Sequence, residues 1–264
     1  MREITLDEQK KILIEILKYI DDVCKENNIK YSLIGGSLIG AIRNKGIIPW
    51  DDDVDIILLN NEYDKLIECL KKSDNSRYRL MTVDTEKTYY YPFAKIVDTS
   101  TILTENIFKK INGMGVYVDI FKYNYIPDNN KELRKYCKKI KFLKRILTYS
   151  CTIKSNSRIK NFIYKYISKI NSNKLAKRII TYEEKYNNKK SKYLLSNWTV
   201  YALEKEIQKS NYFDEYEYVE FENINAMVTK KFDEVLKTTF GDYMTPPPAE
   251  KRISHHYTSA YWKD

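Results

Sequence analysis

The stretch GGSLIGAIRNKGIIPWDDDVDI, Gly35 to Ile56, joins a Gly-Gly-Ser turn to an alternating acidic strand. Gly35 and Gly36 permit close approach of a ligand to the backbone. Ser37 is placed to cap a helix over Leu38 to Asn44, and a helix N-terminus presents free N–H groups and a positive dipole end to a phosphate. Side chains alternate along a strand, so Asp53 and Asp55 point one way while Val54 and Ile56 face the core. Asp51 shares their parity and competes with them; Asp52 points the other way and supports the loop. Two carboxylates at i and i+2 repel each other unless a cation lies between them. Mg²⁺ takes oxygen ligands and keeps waters and phosphate oxygens in its remaining positions. The segment therefore reads as a device for moving phosphoryl or nucleotidyl groups.

A two-metal clamp calls for a third carboxylate. Asp119 is the best candidate, because it interrupts the apolar strand Gly115-Val-Tyr-Val-Asp-Ile-Phe121. Around these strands the pattern is α/β up to about Pro127. Thr5-Leu-Asp-Glu8 is a capping box, and apolar residues at helical spacing predict a helix from Leu6 to about Asn27. Strands are expected at Tyr31 to Ile34, Asp53 to Leu59, Tyr78 to Val83, Phe93 to Val97 and Gly115 to Phe121, with a helix starting at Asn61. After Lys192 come a strand over Tyr216 to Asn223 and a helix over Thr229 to Thr239. Gly241 caps that helix, and three prolines follow it.

The 264 residues suffice for one large domain or for a core with a sizeable insertion. Net charge is +10, unevenly spread: Lys131 to Lys192 carries 20 Lys/Arg against 3 Asp/Glu, and the rest 26 against 33. The basic segment reads as helical. Its stripe Ile159, Phe162, Ile163, Tyr166, Ile167 and Ile170 fits a subdomain packed on the core, and alternatively a surface that meets a membrane. The expected organisation is a catalytic core over 1–130, a basic helical subdomain over 131–192, and a 193–264 segment packing back on the core. Four cysteines, Cys24, Cys69, Cys137 and Cys151, without paired spacing fit a reducing compartment. No apolar run approaches the ~18 residues of a membrane span. Location is thus expected to be cytoplasmic, or peripheral at the inner face of a membrane.

The detail of these motifs resembles the LicD family of the nucleotidyltransferase-fold superfamily. The residues that carry the likeness are Gly36-Ser-Leu-Ile-Gly-Ala-Ile-Arg43, Gly46-Ile-Ile-Pro-Trp-Asp-Asp-Asp-Val-Asp55, Phe93-Ala-Lys-Ile96, Thr101 to Glu105, Val118-Asp-Ile-Phe121, Phe240-Gly-Asp-Tyr-Met244, Pro246 to Pro248 and His255. Family members commonly have proline where this chain has Lys122. The resemblance implies a nucleotidyltransferase-type α+β core, a small mixed sheet flanked by helices, with a Lys-rich helical insertion.

It also implies a phosphocholine transferase, which takes the group from CDP-choline to a hydroxyl of a surface glycan of lipopolysaccharide or teichoic acid type. The donor is CDP-choline or a similar CDP-alcohol; the acceptor glycan is lipid-linked in some readings. On this view Asp53, Asp55 and Asp119 bind Mg²⁺ or Mn²⁺. Gly35, Gly36 and Ser37 hold the leaving phosphate, and Arg43 and Lys95 are cations within reach of the phosphates. A quaternary ammonium needs an aromatic wall; Trp50 is the nearest candidate, with Tyr89 to Tyr91 and Trp198 behind it. His255, with His256 the only other histidine, is a proton acceptor candidate. The competing readings are a same-fold enzyme using a ribitol or ethanolamine donor, a nucleotidyltransferase releasing pyrophosphate, and a basic membrane- or nucleic-acid-binding protein. No nucleic acid partner is expected.

Overall fold

Thr5 opens the first helix as its sequence dictates: its hydroxyl accepts from the Glu8 amide, and the Glu8 carboxylate accepts from the Thr5 amide at 3.0 Å. A computed structural model describes residues 1–105, 107–154, 157–196, 205–252 and 258–263. In chain order the elements begin with α1 (Leu6–Glu26), β1 (Ser32–Leu33), α2 (Gly35–Asn44), β2 (Asp55–Leu59), α3 (Asn60–Lys72), β3 (Tyr78–Met81), β4 (Ala94–Asp98), β5 (Thr101–Glu105) and β6 (Tyr117–Tyr125). They continue with α4 (Asn130–Cys151), α5 (Arg158–Ile167), α6 (Ser172–Glu183), β7 (Tyr193–Ser196), β8 (Gln208–Lys209), β9 (Tyr216–Phe221), β10 (Ile224–Thr229), α7 (Phe232–Phe240) and β11 (Thr258–Trp262). The fold is mixed α+β.

Seven strands form a mixed sheet of order β1-β2-β6-β4-β3, with β7 joined to the far half of β6 and β8 to β7. Only β2 and β6 run parallel, with Asp55 opposite Asp119; the other pairings are antiparallel. On one face Ile56, Val118, Ile120, Ala94 and Ile96 are buried in a single core with Leu13, Ile16 and Leu17 of α1 and Leu66 of α3. That face explains the apolar members of the acidic strands. The other face carries Asp55, Asp119 and Lys95.

The helical region after β6 packs on the rim of this sheet. Leu147 and Cys151 of α4 and Ala176 and Ile179 of α6 share a second core with Met81, Tyr89 and Tyr90. The apolar stripe expected on α5 behaves differently where its side chains are described: Tyr166 and, just past the helix, Ile170 are exposed. Lys122, the residue standing where proline is common, is buried and pairs with Asp64 and Glu184, so it ties β6 to α3 and to the turn after α6. Among the described residues no helix is long and apolar enough to cross a membrane.

Gly241 ends α7 with φ +71° and donates its N–H to the Lys237 carbonyl, as its position predicts. Thr229, expected inside that helix, is the last residue of β10 instead; the helix starts at Phe232. The β9–β10 hairpin turns through Glu222, whose carboxylate accepts the Ile47 N–H at 2.8 Å and whose own N–H reaches the Lys45 carbonyl at 2.8 Å. A distant hairpin thus fixes the loop between α2 and the acidic strand.

Candidate active site

β1 ends at Leu33, and the next residue, Ile34, donates its N–H to the Asp55 carbonyl at 3.1 Å. The chain then turns through Gly35, φ +60°, straight into α2. The helix therefore begins at Gly35 rather than at Leu38, and Ser37 lies within its first turn instead of capping it. No side chain caps this end. The Ser37 hydroxyl accepts the Asp55 backbone N–H at 2.9 Å, so Ser37 locks the acidic strand to the helix. Its side chain is buried and structural in that role.

Two glycines are required by close approach. A Cβ on Gly36 would stand 2.6 Å from an Asp51 carboxylate oxygen. Asp51, the same-parity competitor of Asp53, is thereby held against the first turn of α2. A Cβ on Gly40 would stand 2.3 Å from the Gly46 carbonyl oxygen, which is backbone and cannot swing aside. Gly40→Ala is expected to destabilise the protein by about 1–3 kcal/mol, the range for overpacking a tight contact. Urea unfolding that leaves the midpoint unchanged would count against this account of the α2–β2 loop.

Asp55, Asp119 and Lys95 stand in register on the three neighbouring strands β2, β6 and β4. In-register neighbours project from the same face, so the three charges form one row across the sheet. Lys95 is 1% exposed and Asp119 9%. The Lys95 ammonium is ion-paired to the Asp119 carboxylate and lies 3.4 Å from the Tyr117 ring centroid and 4.7 Å from that of Tyr91.

Asp55 is different. One of its carboxylate oxygens is buried and has no hydrogen-bond partner. Burial first, then Asp53 and Asp119, push its carboxyl well above the usual carboxylate range; Lys95 opposes this and Asp51 adds to it. Asp51, Asp53 and Asp119 lie near enough to Asp55 to act on it, and Lys95 pairs with Asp119 among them.

Asp51, Asp53 and Asp55 line one side of a cavity of about 300 Å³, next to Gly35, Gly36 and Trp50. An apolar part of its wall comes from Phe121 of β6 and Leu236 and Phe240 of α7, and Ser196, Glu206, Gln208 and Thr239 add polar groups to the lining. A polyanion with a bulky apolar or cationic end matches such a cavity if a divalent cation joins it. Among the described residues no three His, Cys, Asp or Glu side chains stand together as a ready-made cage. The unpartnered Asp55 oxygen amid like charges is nevertheless the donor set that a hard cation suits.

The remaining expected site residues fall in different places. Trp50 lines the cavity, half-buried against the main core, and the Arg252 guanidinium lies 5.4 Å from its ring centroid. Arg43 does not face the cavity: it donates to the Tyr243 carbonyl at 3.0 Å, and burial followed by the nearby Arg252 lowers its pKa. Lys95 is a partner of Asp119 and not a cavity wall. Tyr89 and Tyr90 are buried in the second core. His255 and Trp198 lie outside the described residues. Sequence reasoning missed the α7 wall, Gln208 and Glu222. The only signal for them was the Phe240-Gly-Asp-Tyr segment, which was legible as a motif but not as a cavity wall.

The family described as LicD/FKTN/FKRP, nucleotidyltransferase domain, matches residues 28–158. The chain is 32% identical over 270 residues to the lipopolysaccharide cholinephosphotransferase LicD of Haemophilus influenzae, covering 99% of each chain. It is 36% identical over 117 residues to an uncharacterised protein of Rickettsia prowazekii, covering 44% of this chain and 41% of that one. A shorter likeness, 46% over 46 residues, joins it to the human ribitol 5-phosphate transferase FKRP, covering 17% of this chain and 9% of that protein.

Proposed function

The chain belongs to the LicD family, and we propose on that premise that it is a phosphotransferase moving phosphocholine from CDP-choline to a glycan hydroxyl. The observation that carries this reading is the full-length likeness to a lipopolysaccharide cholinephosphotransferase. The placing of Asp51, Asp53 and Asp55 at a cavity, with Asp119 opposite Asp55 on the next strand, supports it. The acceptor is a surface glycan of lipopolysaccharide or teichoic acid type, carried on a lipid, and the enzyme works at the cytoplasmic side.

In the reaction the acceptor oxygen attacks the phosphorus that bears choline. The bond from that phosphorus to the bridging oxygen breaks, CMP leaves with that oxygen, and a phosphodiester forms. Asp53, Asp55 and Asp119 would hold Mg²⁺ or Mn²⁺, which when bound supplies charge neutralisation to the diphosphate. One carboxylate of the cluster accepts the hydroxyl proton. Gly35 and Gly36 keep the α2 N-terminus bare, so its amides and dipole face the departing phosphate. Lys95 and Ser37 position Asp119 and Asp55. The apolar part of the wall excludes water, which protects the donor from hydrolysis. On this reading residues 1–130 are a nucleotidyltransferase-type core and 131–192 its basic insertion.

The choline ammonium needs a π-face, and Trp50 supplies one at the cavity. Trp50→Ala is expected to raise KM for CDP-choline about tenfold, the effect of losing one desolvated cation–π contact. CDP-ribitol, which lacks the cation, should be affected far less. Equal losses with both donors would remove Trp50 from the headgroup site.

The likeness to a ribitol 5-phosphate transferase favours one second reading, a different alcohol on the same donor nucleotide. Incubation with Mg²⁺ and each CDP-alcohol in turn, with a glycan acceptor, separates the two. CMP release with CDP-choline alone supports phosphocholine transfer. Pyrophosphate release from a nucleoside triphosphate would replace both readings by nucleotidylation. Thermal protection by one CDP-alcohol in the presence of Mg²⁺ gives a second readout, independent of the acceptor.

A further inference from the structure

The outer face of α4 carries a dense row of cations. Tyr136, Ile140 and Leu147 are buried on its inner side. Arg134, Lys135, Lys138, Lys141, Phe142 and Arg145 are all exposed. At 100° per residue these six fall within about 120° of the helix circumference, centred opposite the buried side. The face is therefore a single cationic strip. None of its five cations makes an ion pair among the described residues. Glu132 is the helix's sole acid and lies in its first turn.

Within this strip stands Phe142, 61% exposed, and just past the end of the helix stands Ile153, 57% exposed. A solvated lysine-rich helix has no need of an exposed phenylalanine among its cations. A helix that lies against an anionic bilayer needs both: cations to be drawn to the lipid phosphates, and apolar side chains to enter the headgroup boundary.

We propose that the outer face of α4 docks the enzyme on the surface of an anionic phospholipid bilayer. The expected amphipathic stripe lay on α5; the structure points to the neighbouring helix, where the cations and the exposed apolar group share one face. Nucleic acid would also attract the cations, but a phosphate backbone gives Phe142 and Ile153 nothing to enter. The biological sense of the docking rests on the proposed lipid-carried acceptor. The binding itself does not, since it involves neither the cavity nor the donor.

The test is co-sedimentation of the full chain with vesicles of phosphatidylcholine, and with vesicles of phosphatidylcholine and phosphatidylglycerol at about three to one. Binding to the mixed vesicles alone, weakened by salt, is expected. Lys138→Glu/Lys141→Glu should weaken it tenfold or more, and Phe142→Ser severalfold at unchanged charge. Lys138→Arg/Lys141→Arg should bind like the parent. All variants should keep the parental Tm and the parental rate of CMP release with a water-soluble glycan. Equal binding to both vesicle types, no binding to either, or binding unchanged by the double charge reversal would overturn the proposal. So would preferential capture by duplex RNA over the mixed vesicles. If CMP release fails with every variant and the parent while vesicle binding follows this pattern, the transferase reading falls and the docking surface stands.

Discussion

Asp55→Asn is expected to reduce CMP release from CDP-choline by on the order of a thousandfold, the upper range for removing one group that stabilises developing charge. The same substitution should make the metal-free protein more stable. Asp55 keeps one oxygen buried without a partner, and its neighbours Asp53 and Asp119 carry the same charge. Its pKa in the folded protein is raised above the unfolded value, so above the unfolded pKa the folded state is disfavoured relative to the unfolded one. That cost is absent below about pH 4, where the group is protonated in both states, grows as pH rises toward the folded pKa, and is constant above it. The Tm gain of the variant, measured with chelator present, should therefore be about 3 °C or more at pH 7.5 and shrink toward zero in acid. The Ser37 bond to residue 55 is made by the backbone and survives the change. Near-parental turnover would sink the catalytic assignment. Lower stability at neutral pH would sink the electrostatic one.

Lys95→Met is the second large effect. Lys95 is enclosed by Tyr117, Tyr91 and Phe93 and paired with Asp119, so its loss leaves a buried carboxylate beside Asp55 without its lysine. Removing one partner of a buried pair typically costs about 3–5 kcal/mol. For a chain of this size that corresponds to a Tm fall of about 10 °C. Adding Asp119→Asn to Lys95→Met should recover much of the stability and none of the activity. A lysine that instead touched the donor's phosphates would behave otherwise: its loss would raise KM and leave Tm nearly unchanged. Measuring both quantities on the single and double variants decides between the two roles.

The chemistry of the site was legible in the sequence because it is written in local spacing. Asp53-Val-Asp55 reads as a strand with acids on one side; the strand begins only at Asp55, with Asp53 and Val54 just before it, and Val54 and Ile56 are buried. Gly35-Gly36 reads as a place where a ligand can approach the backbone; within the protein itself the Asp51 carboxylate comes close to Gly36. What local spacing does not contain is register. That Asp55 meets Asp119, and Asp119 meets Lys95, is decided by pairing among β2, β6 and β4, so the sequence shows Lys95 as a cation within reach of the phosphates but not its pairing with Asp119. Ser37 was misplaced for a similar reason. With Gly35 free to take positive φ, the helix starts earlier and leaves the serine hydroxyl for the strand. The apolar part of the wall was illegible because Leu236 and Phe240 look like any amphipathic helix until α7 is seen to line the cavity.

The parallel pairing of β2 with β6 has a consequence for how the enzyme comes into being. Two antiparallel neighbours can form as a hairpin while the chain is still being made; two parallel ones need a long crossover. Here α3, β3, β4 and β5 all lie between the strands that carry Asp55 and Asp119. No fragment ending before β6 brings the two acids together. A nascent chain therefore has Asp55 without Asp119 beside it until β6 has been made. Loop closure over such a span is slow and comes late. Competence for catalysis should thus appear only as the sheet is completed, in a single step with it.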